Sequence, residues 1–346
     1  MSEVPIVDVR DGGPVRHAIE CRARARALRD ECVRSLPRLA VGMLPVIDVL
    51  TRRWLSHCHS EYTAEILTIA NELRFPGIWF LNGCCQWACT AVARDQDGAP
   101  WLARTLDWPF AGLGRHATVA RMQGPAGEFE SVTWPGYVGV LTASAPGRFA
   151  ACANQAPMLR RTKHHWLRLY DHALNGLRTA AVRFTPSDHL LRDVFENCET
   201  YDEAKRRLEE TPVARPVIYT LVGCRLGERC VIERTEESFT TSERDTAVAN
   251  DWLQRRPNWE SRVGPDVFFT RTFNEAAENS RVRRDHLLMW PGKFGRNFEW
   301  VLPPVLNFLT RLAVEMCPLN GVLRVAGYEQ PKLQRLPDQV ARRELG

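Results

Sequence analysis

No stretch of the 346-residue sequence comes near eighteen consecutive apolar residues. Arg52 and Arg53 interrupt the most apolar early segment and Arg311 the late one, which excludes a membrane-spanning helix. Charge of one sign is equally scarce: 46 Lys and Arg stand against 41 Asp and Glu, and the net +5 is spread without a basic run, so no nucleic-acid partner is expected. Met1 to Arg10 alternates apolar and acidic residues and lacks the basic start and apolar stretch of a secretory signal. With no export signal, the eleven cysteines read as reduced thiols and a cytoplasmic location is expected.

Metal-ligand spacings are missing too. Cys84, Cys85 and Cys89 form C-C-x-x-x-C with no second pair to complete it, and Cys224 and Cys230 have no nearby histidine. The pairs His57 with His59 and His164 with His165 are not at zinc-helix spacing. The expectation is no metal and no cofactor, a cysteine-held metal being the alternative. Nor does any Ser-His-Asp or Cys-His arrangement appear in a supporting context.

What is present begins helical. Apolar residues at helical spacing predict helices over Val15 to Arg34, Leu36 to Leu55 and Ser60 to Leu73, the last stopped by Pro76-Gly77. After the apolar run Ile78 to Leu81 come strand signals at 90–95, 101–107, 118–122, 129–134, 136–143 and 148–154, read as one antiparallel sheet. Helices return over His165 to Arg183, Ser187 to Glu196 and, opened by the capping box Thr200-Tyr201-Asp202-Glu203, to about Glu210. Strands follow at Val217 to Gly223, Cys230 to Arg234, Thr246 to Asn250, Phe308 to Met316 and Val322 to Ala326. With no repeat or linker, this order predicts one α+β domain of antiparallel sheets sandwiched between helical layers.

Within it, Cys89 to Trp108 reads as two strands around Asp97-Gly98, an Asp-Gly turn. Such a hairpin brings Cys89 to one rim with Arg104 and Asp107. An arginine near a thiol favours the nucleophilic thiolate. The alternative is a buried cysteine beside a structural Arg-Asp ion pair.

The string Cys89-Thr90-Ala91-Val92-Ala93 with Arg104-Thr105-Leu106-Asp107-Trp108 resembles the processing and catalytic site of the acid ceramidase and N-acylethanolamine acid amidase group, N-terminal nucleophile (Ntn) hydrolases related to choloylglycine hydrolases. Further stretches agree in order: 136–142 with Asn154-Gln155, Glu196-Asn197 with 200–205, 249–252, and 304–310. The likeness runs from about Cys89 to Tyr328.

This resemblance implies a four-layer αββα fold made as a precursor and cut between Ala88 and Cys89, giving a light chain, 1–88, and a catalytic heavy chain, 89–346. It implies Cys89 as nucleophile with its own α-amino group as base, Arg104 beside the sulfur, and Asp107 orienting that amine. Asn154 and Asn250 would donate to the oxyanion, and Arg262, twelve residues after Asn250, would brace the site. The activity implied is hydrolysis of a small N-acyl amide through an acyl-thioenzyme. Trp108, Phe110, Trp134 and Tyr137 stand near the motifs as lining for a hydrophobic acyl group or as plain core. Gln155 occupies the place of a glutamate in the acid ceramidase branch and Ala249 that of a threonine, so neither an acidic optimum nor a ceramide-like substrate is carried over. Two alternatives remain: an acyltransferase passing the acyl group to an amine, and an unprocessed binding protein of the same fold. The helices of 1–75 read as a lid or as the face of a homo-oligomer.

Overall fold

The computed structural model describes residues 1–83, 88–162, 164–244, 246–261, 273–331 and 335–346. Two short strands open the chain, β1 (Ser2–Glu3) and β2 (Ile6–Asp8). Five helices follow: α1 (Gly13–Glu20), α2 (Arg22–Arg34), α3 (Arg38–His57), α4 (Thr63–Leu73) and α5 (Ile78–Gly83). The stretch expected as one helix over Val15 to Arg34 is therefore broken at Cys21, and the apolar run at Ile78 is itself helical.

The hairpin β3 (Ala88–Gln96) and β4 (Ala99–Asp107) comes next, then α6 (Leu113–His116). Four strands make a meander: β5 (Thr118–Gly124), β6 (Gly127–Thr133), β7 (Thr142–Ala145) and β8 (Phe149–Gln155). The short β9 (Met158–Leu159) leads to α7 (Arg168–Ala181), α8 (Ser187–Asn197) and α9 (Tyr201–Glu210). Helix α9 begins with the expected capping box: Glu203 N–H donates to Thr200 Oγ1 at 3.2 Å and Thr200 N–H to Glu203 Oε2 at 3.3 Å. The rest comprises β10 (Val217–Val222), β11 (Arg229–Arg234), β12 (Phe239–Ser242), β13 (Ala247–Val248), β14 (Trp259–Glu260), α10 (Phe273–Leu288), β15 (Thr310–Cys317), β16 (Val322–Glu329) and β17 (Asp338–Leu345).

These strands build two large sheets. One has the order β1-β17-β16-β15-β4-β3-β13 and the other β12-β11-β10-β8-β7-β6-β5-β2. The single sheet expected over 90–154 is thus divided: β3 and β4 belong to the first sheet and β5 to β8 to the second. Hairpin signals identify partners next to each other in sequence, but nothing in the alternation records that α6 carries the chain across to another layer. The sheets stack face to face, with β3 and β4 against β8 and β10, and their facing side chains form the main core, among them Leu106, Phe149, Tyr219 and Val314. Helix α10 covers the outer face of the first sheet at β3 and β13, while α8 and α9 cover the second. The architecture is therefore the four-layer αββα sandwich.

Among the described strands of the two large sheets, pairing is antiparallel except at the N-terminus, where β1 joins β17 and β2 joins β5 in parallel. The front of the chain, expected to be all helical, thus adds one edge strand to each sheet before its helices begin. Helices α1, α3, α4 and α5 enclose a separate apolar cluster that includes Leu55, Ile66, Ile69 and Trp79. Among the described residues no helix is long and apolar enough to cross a membrane.

Candidate active site

Asp97 and Gly98, at the tip of the β3-β4 hairpin, have φ of 52° and 79°, the two positive values that a type I′ turn requires. From this tip the register runs Gln96↔Ala99 through Ala91↔Arg104 and Cys89↔Leu106 to Ala88↔Asp107. Side chains directly opposite one another share a face, so Cys89 and Arg104 lie together while Thr90 and Asp107 lie on the reverse. The three groups expected at one rim are therefore split across the strand. Thiol and guanidinium face the space between the sheets, and the carboxylate faces outward.

On the inner face Arg104 is fully buried. Its Nη2 donates to Cys89 Sγ at 2.7 Å, and its Nη1 donates to Thr142 Oγ1 at 2.5 Å and to the Leu141 carbonyl at 3.1 Å. The second sheet thus aims the guanidinium at the sulfur. Burial pushes the Cys89 thiol up to about 12, against the pull of Arg104 in the opposite direction. In the continuous chain the sulfur is accordingly a protonated thiol held next to a cation.

On the outer face Asp107 accepts from Asn307 Nδ2 and from Thr310 Oγ1, each at 2.9 Å, and Arg283 Nη1 lies 3.6 Å from its carboxylate. Burial raises the Asp107 carboxyl above its usual range while Arg283, Asn307 and Thr310 pull it down. Arg283, from α10, is the group that sequence reasoning missed. It donates to the Cys89 carbonyl at 2.7 Å, to Thr90 Oγ1 at 2.8 Å and to Asn250 Oδ1 at 3.0 Å. Arg262, assigned the bracing role, lies outside the described residues, as do Cys84 and Cys85.

The two asparagines come together from different elements, Asn154 near the end of β8 and Asn250 just after β13. Their amides cross: Asn154 Nδ2 donates to the Ala249 carbonyl at 3.2 Å and Asn250 Nδ2 to the Gln155 carbonyl at 2.9 Å. Asn250 Oδ1 also accepts the Cys89 backbone N–H at 2.9 Å, and Ser280 Oγ of α10 accepts the Asn250 backbone N–H at the same distance. Each amide NH₂ keeps a second hydrogen beyond its bond to main chain. Cys89, Arg104, Asp107, Asn154 and Asn250, chosen from the sequence, thus form one buried constellation.

A cavity of about 620 Å³, its open mouth included, lies between α2, α3, α5 and the chain after β4, lined by Leu28, Phe75, Ile78, Leu81, Trp108 and Phe110 among others. Trp108 follows Asp107 directly and so joins the cavity wall to the constellation. Trp134 and Tyr137 are core instead: Trp134 is buried edge-on to Trp108, and Tyr137 donates to Asp188 Oδ2 at 2.7 Å. No disulfide forms among the described cysteines, and no grouping of three or more His, Cys, Asp or Glu suited to a metal occurs among the described residues.

No family model matches the chain. It is 28% identical over 246 residues to the N-acylethanolamine-hydrolyzing acid amidase of Mus musculus, covering 68% of this chain and 64% of that protein. To the acid ceramidase of Heterocephalus glaber it is 32% identical over 138 residues, 40% of this chain and 33% of the other. Across the first relatives the match spans between 39% and 64% of their length. A solved structure, the Caenorhabditis elegans N-acylethanolamine-hydrolyzing acid amidase ortholog, aligns at 20% identity and a TM-score of 0.49 over 66% of this chain and 92% of that one. By sequence, the chain is similar to the N-acylethanolamine acid amidase and acid ceramidase group of Ntn hydrolases, the group that its motifs from Cys89 onward indicate.

Proposed function

We propose that this protein is a self-cleaving cysteine amidase that hydrolyses the amide bond of an N-acyl compound with a hydrophobic acyl group. The observation that carries the reading is Cys89 itself: a thiol 2.7 Å from a buried guanidinium, in a residue whose amide N–H is held by one side chain and whose carbonyl is held by another.

Self-cleavage starts with attack of Cys89 Sγ on the Ala88 carbonyl carbon through a five-membered ring. The C–S bond forms, the Ala88-Cys89 C–N bond breaks, and the proton leaving sulfur ends on nitrogen. Water then opens the thioester, leaving an 88-residue light chain, 1–88, and a heavy chain beginning at Cys89. In turnover the new α-amino group, with a free pKa of about 8, takes the thiol proton, so no histidine is needed. Arg104 stabilises the sulfur anion. Asp107, with Arg283 behind it, orients the amine, and the remaining amide hydrogens of Asn154 and Asn250 serve the tetrahedral oxyanion, roughly 3 kcal/mol for each donor. The cavity supports a hydrophobic acyl group, because its walls are almost entirely aliphatic and aromatic.

Intact-mass analysis of purified protein tests the first half: two chains, the second beginning at Cys89, are expected, against one chain for Cys89→Ala. A fatty-acyl mass adduct on the heavy chain after mixing with N-acyl amides is expected for the second half. A wild-type chain that stays whole, or a cut chain that no N-acyl amide acylates, would overturn the reading.

A further inference from the structure

Glu233 is a buried carboxylate, 2% exposed, that the chemistry above leaves unused. It lies on β11, where the next residue, Arg234, reaches outward to the Leu208 and Thr211 carbonyls at the end of α9. Successive side chains alternate across a strand, so Glu233 points the other way, into the space between the sheets. The register agrees. Ile218 of β10 stands opposite Glu233 on one side and opposite Asn154 on the other, which puts the three in one row on one face. Cys152, two residues before Asn154 and so on that face too, pairs with Thr142, whose hydroxyl meets Arg104 of the first sheet. Glu233 therefore shares the inner face with the candidate site, two strands from Asn154 and roughly 10 Å away.

What the carboxylate holds is the chain that carries Asn250. Strand β13 ends at Val248, and residues 249–258 belong to no helix or strand before β14 begins. At the near end of this segment the crossed amides of Asn154 and Asn250 fix it to β8. Farther along, Leu253 N–H donates to Glu233 Oε1 at 2.5 Å, and Arg256 Nη2 lies 3.5 Å from Glu233 Oε2. Arg256 also stands 4.5 Å over the ring of the buried Trp252, between the two anchors. Burial pushes the Glu233 carboxyl up, while Leu253 and Arg256 pull it down. A buried carboxylate costs stability where an apolar side chain would pack, and both oxygens of this one are engaged by the segment that follows Asn250.

We infer that Glu233 is a positioning residue for the oxyanion site: by holding Leu253 it sets where the Asn250 amide stands relative to that of Asn154. The inference rests on the oxyanion role proposed for these two asparagines. Two donors serve one oxygen only when each is held to within about 0.5 Å. Asn154 takes its place from the β8-β10 ladder, whereas Asn250 lies past the end of β13 and has no ladder of its own. The tether three residues on supplies the missing constraint.

The test compares two reactions of Cys89 in purified, cut protein. Acylation by p-nitrophenyl dodecanoate passes through a tetrahedral oxyanion: the C–S bond forms, the C–O bond breaks, and p-nitrophenolate leaves. Alkylation by iodoacetamide also forms a C–S bond but displaces iodide and builds no oxyanion. Both are followed by mass on the peptide that begins at Cys89. For Glu233→Ala, acylation is expected to slow roughly tenfold or more, while alkylation stays within about twofold of wild type. Glu233→Gln, whose amide oxygen accepts the Leu253 N–H, is expected to recover acylation to within about threefold. If Glu233→Ala gives no soluble cut protein, Glu233→Asp, one methylene too short for Leu253, is judged by the same criteria. A wild type that stays uncut, or that the ester does not acylate, overturns the amidase reading and the inference with it. Asn250→Ala acylated as fast as wild type overturns the oxyanion role and, again, the inference. Glu233→Ala acylated at the wild-type rate overturns the inference alone, as do acylation and alkylation falling in the same ratio, which marks a merely structural role.

Discussion

Both faces of strand β3 at Cys89 carry a buried arginine, and the two have different work. On the inner face Arg104 touches the sulfur and is otherwise held by neutral groups, a hydroxyl and two carbonyls. On the outer face Arg283 touches no sulfur; it holds the Cys89 carbonyl and Asn250 and lies near the Asp107 carboxylate. One cation is poised for charge that appears on reaction, whereas the other offsets a charge and polar groups already buried. Removing the first should cost mainly reactivity, and removing the second mainly stability.

Cys89→Ala removes the atom both faces serve, and it should abolish cleavage and acylation outright while circular dichroism still reports a folded chain. Next in size, Arg104→Met should lower the acylation rate by roughly 10²- to 10³-fold in stopped-flow or mass-labelling assays, with a smaller change in melting temperature. Arg283→Met leaves the Asp107 carboxylate and Asn250 Oδ1 without their cation, so chemical denaturation should show a loss of about 3–5 kcal/mol. If the Met variants at 104 and 283 lost reactivity and stability in the same ratio, the division of labour between the faces would be wrong.

A pH series sharpens the outer face. Burial raises the folded-state pKa of Asp107 above its ordinary 3.8, so the folded protein binds that proton more tightly than the unfolded chain does. The stability this contributes is fully present below 3.8 and is lost as pH rises through the raised folded value. Compared in a Cys89→Ala background, the aspartate protein should therefore lose melting temperature relative to Asp107→Asn as pH rises from about 3.8. The smallest effect is expected for Thr310→Val, which deletes one hydrogen bond to Asp107 and should cost roughly 1 kcal/mol.

The inner face was the more legible in the sequence. Cys89 and Arg104 share one hairpin, its Asp-Gly turn is a local signal, and counting back from the turn places the pair. Asn154 and Asn250 gained meaning only from the motif resemblance, since their meeting depends on which strands stack across the core. Arg283 could not be read at all. It lies far along the chain on α10, whose side toward β3 carries Ser280 and Arg283, so the apolar stripe that marks an amphipathic helix is absent. The same obstacle hid β1, β2 and β17, which are short or polar strands without the alternation of a half-buried strand.

The edge strands at the start of the chain bear on what a cut at Ala88 would leave behind. Residues 2–8 pair with β17 of one sheet and β5 of the other, and half-buried bonds such as Tyr62 to Glu196 at 2.6 Å and Arg192 to Glu65 at 2.7 Å join the helices to the sandwich. A nick would therefore release no fragment. It would convert one chain into a two-chain complex already docked at every contact, whose unfolding alone separates the pieces. Its melting would then depend on protein concentration where that of the whole chain does not, since only the nicked form must find its partner again.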